Sequence, residues 1–197
     1  DQTTLGHTFL KNELNVIPKV GWQLDPFGHS ASQASVMSYK MGFDSLYFGR
    51  IDYQDLSLRH SLQECEGLWN ASTTWDDSTI FWGLTGSYNG NYGRPDGYCF
   101  DIHCIPSQSV IDMNVTELTT KVEDFIMALR EQSDRTKGNH IMLTFGSDFS
   151  YQRAALNFAN MDVLFNSLLH FQATKQIDVP SIMGPRYSAI NIFYSSA

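Results

Sequence analysis

Lys19-Val20-Gly21-Trp22-Gln23-Leu24-Asp25-Pro26 opens a stretch that runs to Asp44-Ser45-Leu46-Tyr47-Phe48-Gly49-Arg50, and its reading decides the fold. Residues 19–24 read as a short strand that ends at Asp25-Pro26, where proline removes a backbone donor and restricts the residue before it. His29 to Met41 reads as a helix, stopped by Gly42 just past its last turn. Residues 45–49 read as a second strand. Strand, helix and strand within about 30 residues make a βαβ unit, and such a unit demands a parallel pair.

The pattern continues outward in both directions. Leu5, Phe9, Leu10 and Leu14 form a helical stripe before the first strand. A further helix is expected over 55–65. Leu118, Val122, Phe125, Ile126 and Leu129 share one helical face, and Ile141-Met142-Leu143-Thr144-Phe145 reads as a compact apolar strand. Ala154, Phe158, Met161, Phe165 and Leu168 follow at helical spacing. Between about Gly67 and Cys104 the chain is rich in Gly, Asn, Asp, Tyr and Trp, and reads as a long insertion loop. Strands alternating with helices mean a parallel sheet with covered faces. An open doubly wound sheet or a (β/α) barrel satisfies this. Neither GxGxxG nor GxxxxGK[ST] occurs, so the barrel is favoured.

Composition narrows the function. Hydrophobic residues make up 42% of the chain and aromatic residues 13%, enough for a packed core rather than a disordered chain. A net charge of −8 leaves no basic stripe to displace counterions from a phosphate backbone, so nucleic acid is not an expected partner. No apolar run approaches the ~20 residues a membrane span needs. Of three cysteines, Cys99 and Cys104 are close enough for one local disulfide, while Cys65 is left over. Two N-x-[ST] sequons begin at Asn70 and Asn114. With the close cysteine pair they favour a secreted or lysosomal protein.

Three charged residues stand just past strands: Asp25 after 19–24, Arg50 after 45–49 and Asp148 after 141–145. In parallel α/β folds the strand C-termini open on the active-site face, so such residues converge although distant in sequence. Two carboxylates and a cation around one cleft suit glycoside hydrolysis, in which one carboxylate attacks the anomeric carbon and the other protonates the leaving oxygen. The plainer alternative is that the aspartates cap the next helix and Arg50 pairs with Asp52 or Asp55.

The local sequences decide between these. Gly21-Trp22-Gln23-Leu24-Asp25-Pro26-Phe27-Gly28-His29-Ser30 closely resembles the W-x-[IL]-D-P-F-G-H-S motif of family 38 α-mannosidases. Gly49-Arg50-Ile51-Asp52-Tyr53-Gln54-Asp55 is similar to the family's G-R-[LI]-D-Y-Q-D block, and Gly146-Ser147-Asp148-Phe149 to its G-[SDT]-D-F block. Cys99-Phe100-Asp101-Ile102-His103-Cys104 resembles a C-x-D-x-x-C pair of the lysosomal branch, which implies a Cys99–Cys104 disulfide. The resemblance extends from Asp1 to about Tyr187.

That resemblance implies a retaining, zinc-dependent exo-α-mannosidase acting on N-glycan oligomannose, in a lysosome or vacuole or secreted. The chain would be part of a seven-stranded-type (β/α) barrel with parallel strands and outer helices. Asp25 matches the nucleophile that is also a zinc ligand, and Asp148 the general acid/base. Phe27 matches the aromatic lining the sugar subsite, Arg50 the arginine beside nucleophile and mannose, and Tyr92 a substrate-contacting tyrosine. His29 is expected to be structural and Trp22 to belong to the core. Asp52 and Asp55 are read as hydrogen-bonding partners that fix their loop.

A zinc site needs at least three protein ligands, and the resemblance supplies only Asp25. The family's H-x-D pair lies upstream of this stretch and its last histidine downstream. The C-terminal helical and β-sandwich domains of the family are missing from these 197 residues. The chain therefore reads as a fragment of one catalytic domain, with sister peptides or further segments supplying the other ligands; a homo-oligomer is open. Two other classes compete. A sugar-binding or structural fragment would have tolerated loss of Asp25 or Asp148, and both are intact. A polysaccharide deacetylase would want an H-x-x-x-H pair, which is absent.

Overall fold

The computed structural model describes residues 1–85, 95–102, 104 and 108–195. In chain order it contains α1 (Gln2–Leu14), β1 (Val20–Gln23), α2 (Ala31–Ser35, continued by a π-helical turn Val36–Lys40), β2 (Ser45–Phe48) and α3 (Tyr53–Leu62). There follow β3 (Glu66–Asn70), β4 (Thr79–Leu84), α4 (Val115–Ser133), α5 (Ala154–Ala173) and α6 (Val179–Met183). The βαβ unit forms as the sequence requires. Ser30 caps α2 by accepting the Gln33 N–H at 3.1 Å, and Gly42 ends the helical stretch at φ +68°.

The sheet has four strands in the order β1-β2-β4-β3. β1, β2 and β4 are parallel, and β3 runs antiparallel to β4. The sheet is open, so the described residues show a mixed α/β architecture with a mostly parallel sheet. Inside the stretch read as one long loop, β3 and β4 are strands. Leu68-Trp69 and Thr79-Ile80-Phe81-Trp82 carry the branched and aromatic side chains that fit a pleated surface, and Ile80 is fully buried beneath them. The glycines and aspartates around them had obscured that.

Two apolar clusters hold the chain. One lies between the sheet and the α2 segment, around Ala34, Met37, Leu46, Phe48 and Ile80. The other is helical, with Val122, Phe125, Ile126, Leu164 and Leu168 at its centre. The face expected of α4 is the buried one. On α5 the buried face is rotated from the expected stripe: Asn157 and Asn160 are buried while Phe158 is half exposed. Asn160 Oδ1 accepts the Val110 N–H at 2.8 Å and the Ser109 hydroxyl at 3.0 Å. These bonds let polar residues occupy a core face.

The expected strand 141–145 joins no ladder. Its alternate residues Ile141, Leu143 and Phe145 nevertheless pack on the helical cluster, which is the period-two pattern of an extended chain. α1 forms, but it buries none of its residues, and its apolar stripe of Leu5, Phe9 and Leu14 is exposed. No helix among the described residues is long and apolar enough to cross a membrane.

Candidate active site

Strand register brings the first two site residues together. Gln23 stands opposite Phe48 in the β1–β2 ladder, so Asp25 and Arg50 lie two residues beyond matched positions. The ends of the strands approach closely: a β-carbon at Gly49 would lie 2.5 Å from the Leu24 carbonyl oxygen. Only glycine permits that approach. There the Arg50 guanidinium Nε donates to Asp25 Oδ1 in an ion pair. The guanidinium carbon also lies 5.1 Å from the centre of the Phe27 ring, a cation–π contact. Phe27 itself is 88% exposed, a bare aromatic face at the rim.

His29 holds the back of this arrangement. Its Nε2–H donates to the Arg50 carbonyl at 2.7 Å, since a carbonyl can only accept, and its ring lies against Phe48 at 4.0 Å between centroids. Nδ1 is buried without a hydrogen-bond partner. This is the structural histidine the sequence suggested. Ser30 rather than Asp25 caps α2. Asp52 accepts from the Gln54 and Asp55 N–H groups at the start of α3, and Asp55 pairs with Arg59 at 2.9 Å. Ser30 and Asp52 thus take the helix-capping role, and Arg50 pairs with Asp25.

Asp148 arrives from the other cluster. A cleft of about 270 Å³ is lined on one side by Trp22, Leu24 and Asp25, and on the other by Gly146, Ser147 and Asp148. The two carboxylates therefore share one open cleft, both exposed to it. Trp22, expected in the core, is 39% exposed and lines this cleft; its indole N–H donates to the Thr85 hydroxyl at 3.3 Å. Phe149, next to Asp148, is 85% exposed at φ +58°, a backbone region that an aromatic residue rarely adopts. Tyr92 lies outside the described residues.

Cys99 and Cys104 form a disulfide with 5.8 Å between α-carbons. Cys65 is a buried free thiol whose pKa burial pushes up, the inert kind of cysteine. Asn70 and Asn114 are both exposed. Among the described residues no three His, Cys, Asp or Glu side chains are grouped closely enough to hold a metal. Asp25 could give one carboxylate to such a site and no more.

The family model described as the glycosyl hydrolases family 38 N-terminal domain matches residues 1–182. An alpha-mannosidase from Canavalia ensiformis is 41% identical over 171 residues, covering 84% of this chain and 17% of that protein. A lysosomal alpha-mannosidase from Homo sapiens is 38% identical over 179 residues, covering 89% of the chain and 17% of the relative. One from Dictyostelium discoideum is 34% identical over 164 residues, covering 83% and 16%. The chain thus spans less than a fifth of the length of these curated relatives.

Proposed function

The chain belongs to family 38 of the glycosyl hydrolases, and from that premise we propose that it is part of the catalytic domain of a retaining exo-α-mannosidase that trims oligomannose of N-glycans. The observation that carries this reading is the cleft shared by Asp25 and Asp148, with Arg50 ion-paired to the first of them. The open sheet is one sector of a (β/α) barrel, and the other sectors come from elsewhere in a longer protein or from sister peptides. Relatives named lysosomal favour a lysosome or vacuole as the site of action.

The chemistry follows from the two carboxylates. Asp25 attacks the anomeric carbon, and the bond from that carbon to the leaving oxygen breaks as Asp148 passes its proton to that oxygen. A covalent mannosyl ester on Asp25 results. Asp148, now a base, takes a proton from water as the water oxygen attacks the same carbon and releases Asp25. Retention needs the carboxyl groups about 5–5.5 Å apart in the complex. Arg50 aims the attacking oxygen through its planar guanidinium, and Phe27 presents an apolar ring to the sugar's C–H face.

Zinc enters the proposal through the resemblance alone. The described residues do not by themselves make a zinc site, so Asp25 would contribute one ligand and the rest of the protein the others. Bound there, a zinc ion would supply Lewis-acid stabilisation of the sugar hydroxyls. In the full-length enzyme, Asp25→Ala abolishes turnover of an aryl α-mannoside and lowers the zinc retained after gel filtration. Near-wild-type turnover in this variant would reject the assignment.

A further inference from the structure

We propose that Asp101 is a positioning residue for Asp148, acting through the main chain and side chain of Tyr151; the inference rests on the reading of Asp148 as the general acid/base. Asp101 lies within the Cys99–Cys104 disulfide loop and is only 8% exposed. Its Oδ1 accepts the Ile102 N–H at 2.8 Å. Its Oδ2 accepts the Tyr151 N–H at 2.5 Å and the Asn157 side-chain amide at 3.1 Å. A buried carboxylate that faces three N–H donors is fixed in place, and each donor loses its acceptor if the carboxylate is replaced.

Tyr151 is the other half of the clamp. Its hydroxyl donates to the Phe145 carbonyl at 2.9 Å, so the segment from 145 to 151 is closed on itself by one side chain. Within it the Ser150 N–H donates to the Ser147 carbonyl at 3.1 Å. Asp148 stands in the middle of this closed segment, facing the cleft. Both Phe149 and Tyr151 have left-handed backbone, at φ +58° and +65°. Side chains with a β-carbon disfavour that region, so the conformation persists only where its surroundings enforce it. The Asp101 bond to the Tyr151 N–H is such an enforcement. The disulfide loop therefore anchors Tyr151, and Tyr151 closes the segment that aims Asp148.

Asp101→Asn tests this with almost no change in volume. A carboxamide offers one acceptor oxygen and turns an N–H towards donors, so it cannot satisfy all three partners. In the full-length enzyme three readouts are compared among wild type, Asp101→Asn, Tyr151→Phe and Asp148→Asn. These are kcat on an alkyl α-mannoside with a poor leaving group, kcat on an activated aryl α-mannoside, and amide hydrogen exchange across residues 146–152. The expected result for Asp101→Asn is a loss of about a hundredfold on the poor leaving group, at least tenfold smaller on the activated one, with KM little changed. Exchange rises in 146–152 and not elsewhere. Tyr151→Phe, which keeps the main-chain bond, shows the same signature at smaller size and covers the case in which Asp101→Asn does not fold.

Unchanged exchange in 146–152 overturns the clamp whatever the kinetics show. Raised exchange with equal losses on both substrates overturns the link to proton donation. Asp148→Asn separates the two readings. If it selectively loses the poor leaving group while Asp101→Asn and Tyr151→Phe do not, only the positioning role fails. If Asp148→Asn loses both equally, the acid/base assignment itself fails and the positioning role goes with it.

Discussion

The Asp25 carboxylate and the Arg50 guanidinium meet across the ends of two neighbouring parallel strands, at positions the β1–β2 register sets side by side. Arg50 also lies over Phe27, so one planar cation touches both the carboxylate and the exposed aromatic ring. Lysine carries the charge but not the plane or the fork. Arg50→Lys is expected to lower kcat/KM on an aryl α-mannoside roughly tenfold, and Arg50→Ala roughly a hundredfold. Steady-state kinetics on the full-length enzyme check both values, and an Arg50→Lys variant at wild-type efficiency would show that charge alone suffices.

Asp148 faces the cleft from the helical side. A proton donor matters in proportion to how badly the leaving group needs the proton. Asp148→Asn should therefore cost roughly a hundredfold or more on an alkyl mannoside and far less on a nitrophenyl mannoside. The ratio of the two losses is the diagnostic quantity, and a ratio near unity would reduce Asp148 to a sugar-positioning role.

Asn114 serves the fold whether or not it carries a glycan. Its Oδ1 accepts the Glu117 N–H and Glu117 Oε2 accepts the Asn114 N–H, both at 3.0 Å, a capping box at the start of α4. The box uses only the oxygen of the amide, while N-glycosylation uses the nitrogen, so cap and glycan are compatible. Expressed in a secretory host, Asn114→Asp and Thr116→Ala should both lose one glycan in mass. Asn114→Ala should lose the glycan and about 1 kcal/mol of stability beyond Thr116→Ala. Mass spectrometry and denaturant midpoints read the two effects separately.

His60, in the last turn of α3, has its pKa lowered by burial and, secondarily, by the Arg135 guanidinium. The unfolded chain therefore takes up this proton at a higher pH than the folded one. Above the ordinary imidazole range both states are neutral and the residue is silent. As the pH falls through about 6.5 the unfolded state gains the proton first, and stability drops. His60→Gln should remove that part of the slope. Calorimetric Tm measured at about pH 7 and about pH 5 should fall less in the variant than in wild type.

The sequence is easiest to read where one rule acts alone. Residues 19–50 show strand, proline stop, helix, glycine stop and strand in order, and the structure forms each of them. Strand ends and motif order put Asp25, Arg50 and Asp148 around one cleft; Asp25 and Asp148 line it, and Arg50 stands beside it through its ion pair with Asp25. Asp148 reaches it from a packed segment without a ladder rather than from a strand, because apolar alternation reports burial and not hydrogen bonding. On α5 the periodic reading chose Phe158 over Asn157 and Asn160, since satisfied amides are invisible to a hydropathy count. The strands β3 and β4 were hidden for the opposite reason: Gly67 and Gly83 sit inside them as packing spaces, the latter where a β-carbon would meet the Tyr47 ring at 2.6 Å. Trp22 shows a third limit, because a large aromatic near a strand end reads the same whether it faces core or cleft.

The two apolar clusters divide the two cleft carboxylates between them: Asp25 rides on the sheet, and Asp148 on the segment packed against the helices. Neither cluster carries both carboxylates, so under the proposed mechanism turnover depends on how the two are seated against each other. A slight rocking of one body on the other changes the spacing that decides whether a carboxylate attacks or a water does, while each body keeps its own interior. Under the proposed mechanism, heat inactivation is then expected to precede melting, with activity lost while the circular dichroism is still that of the native protein.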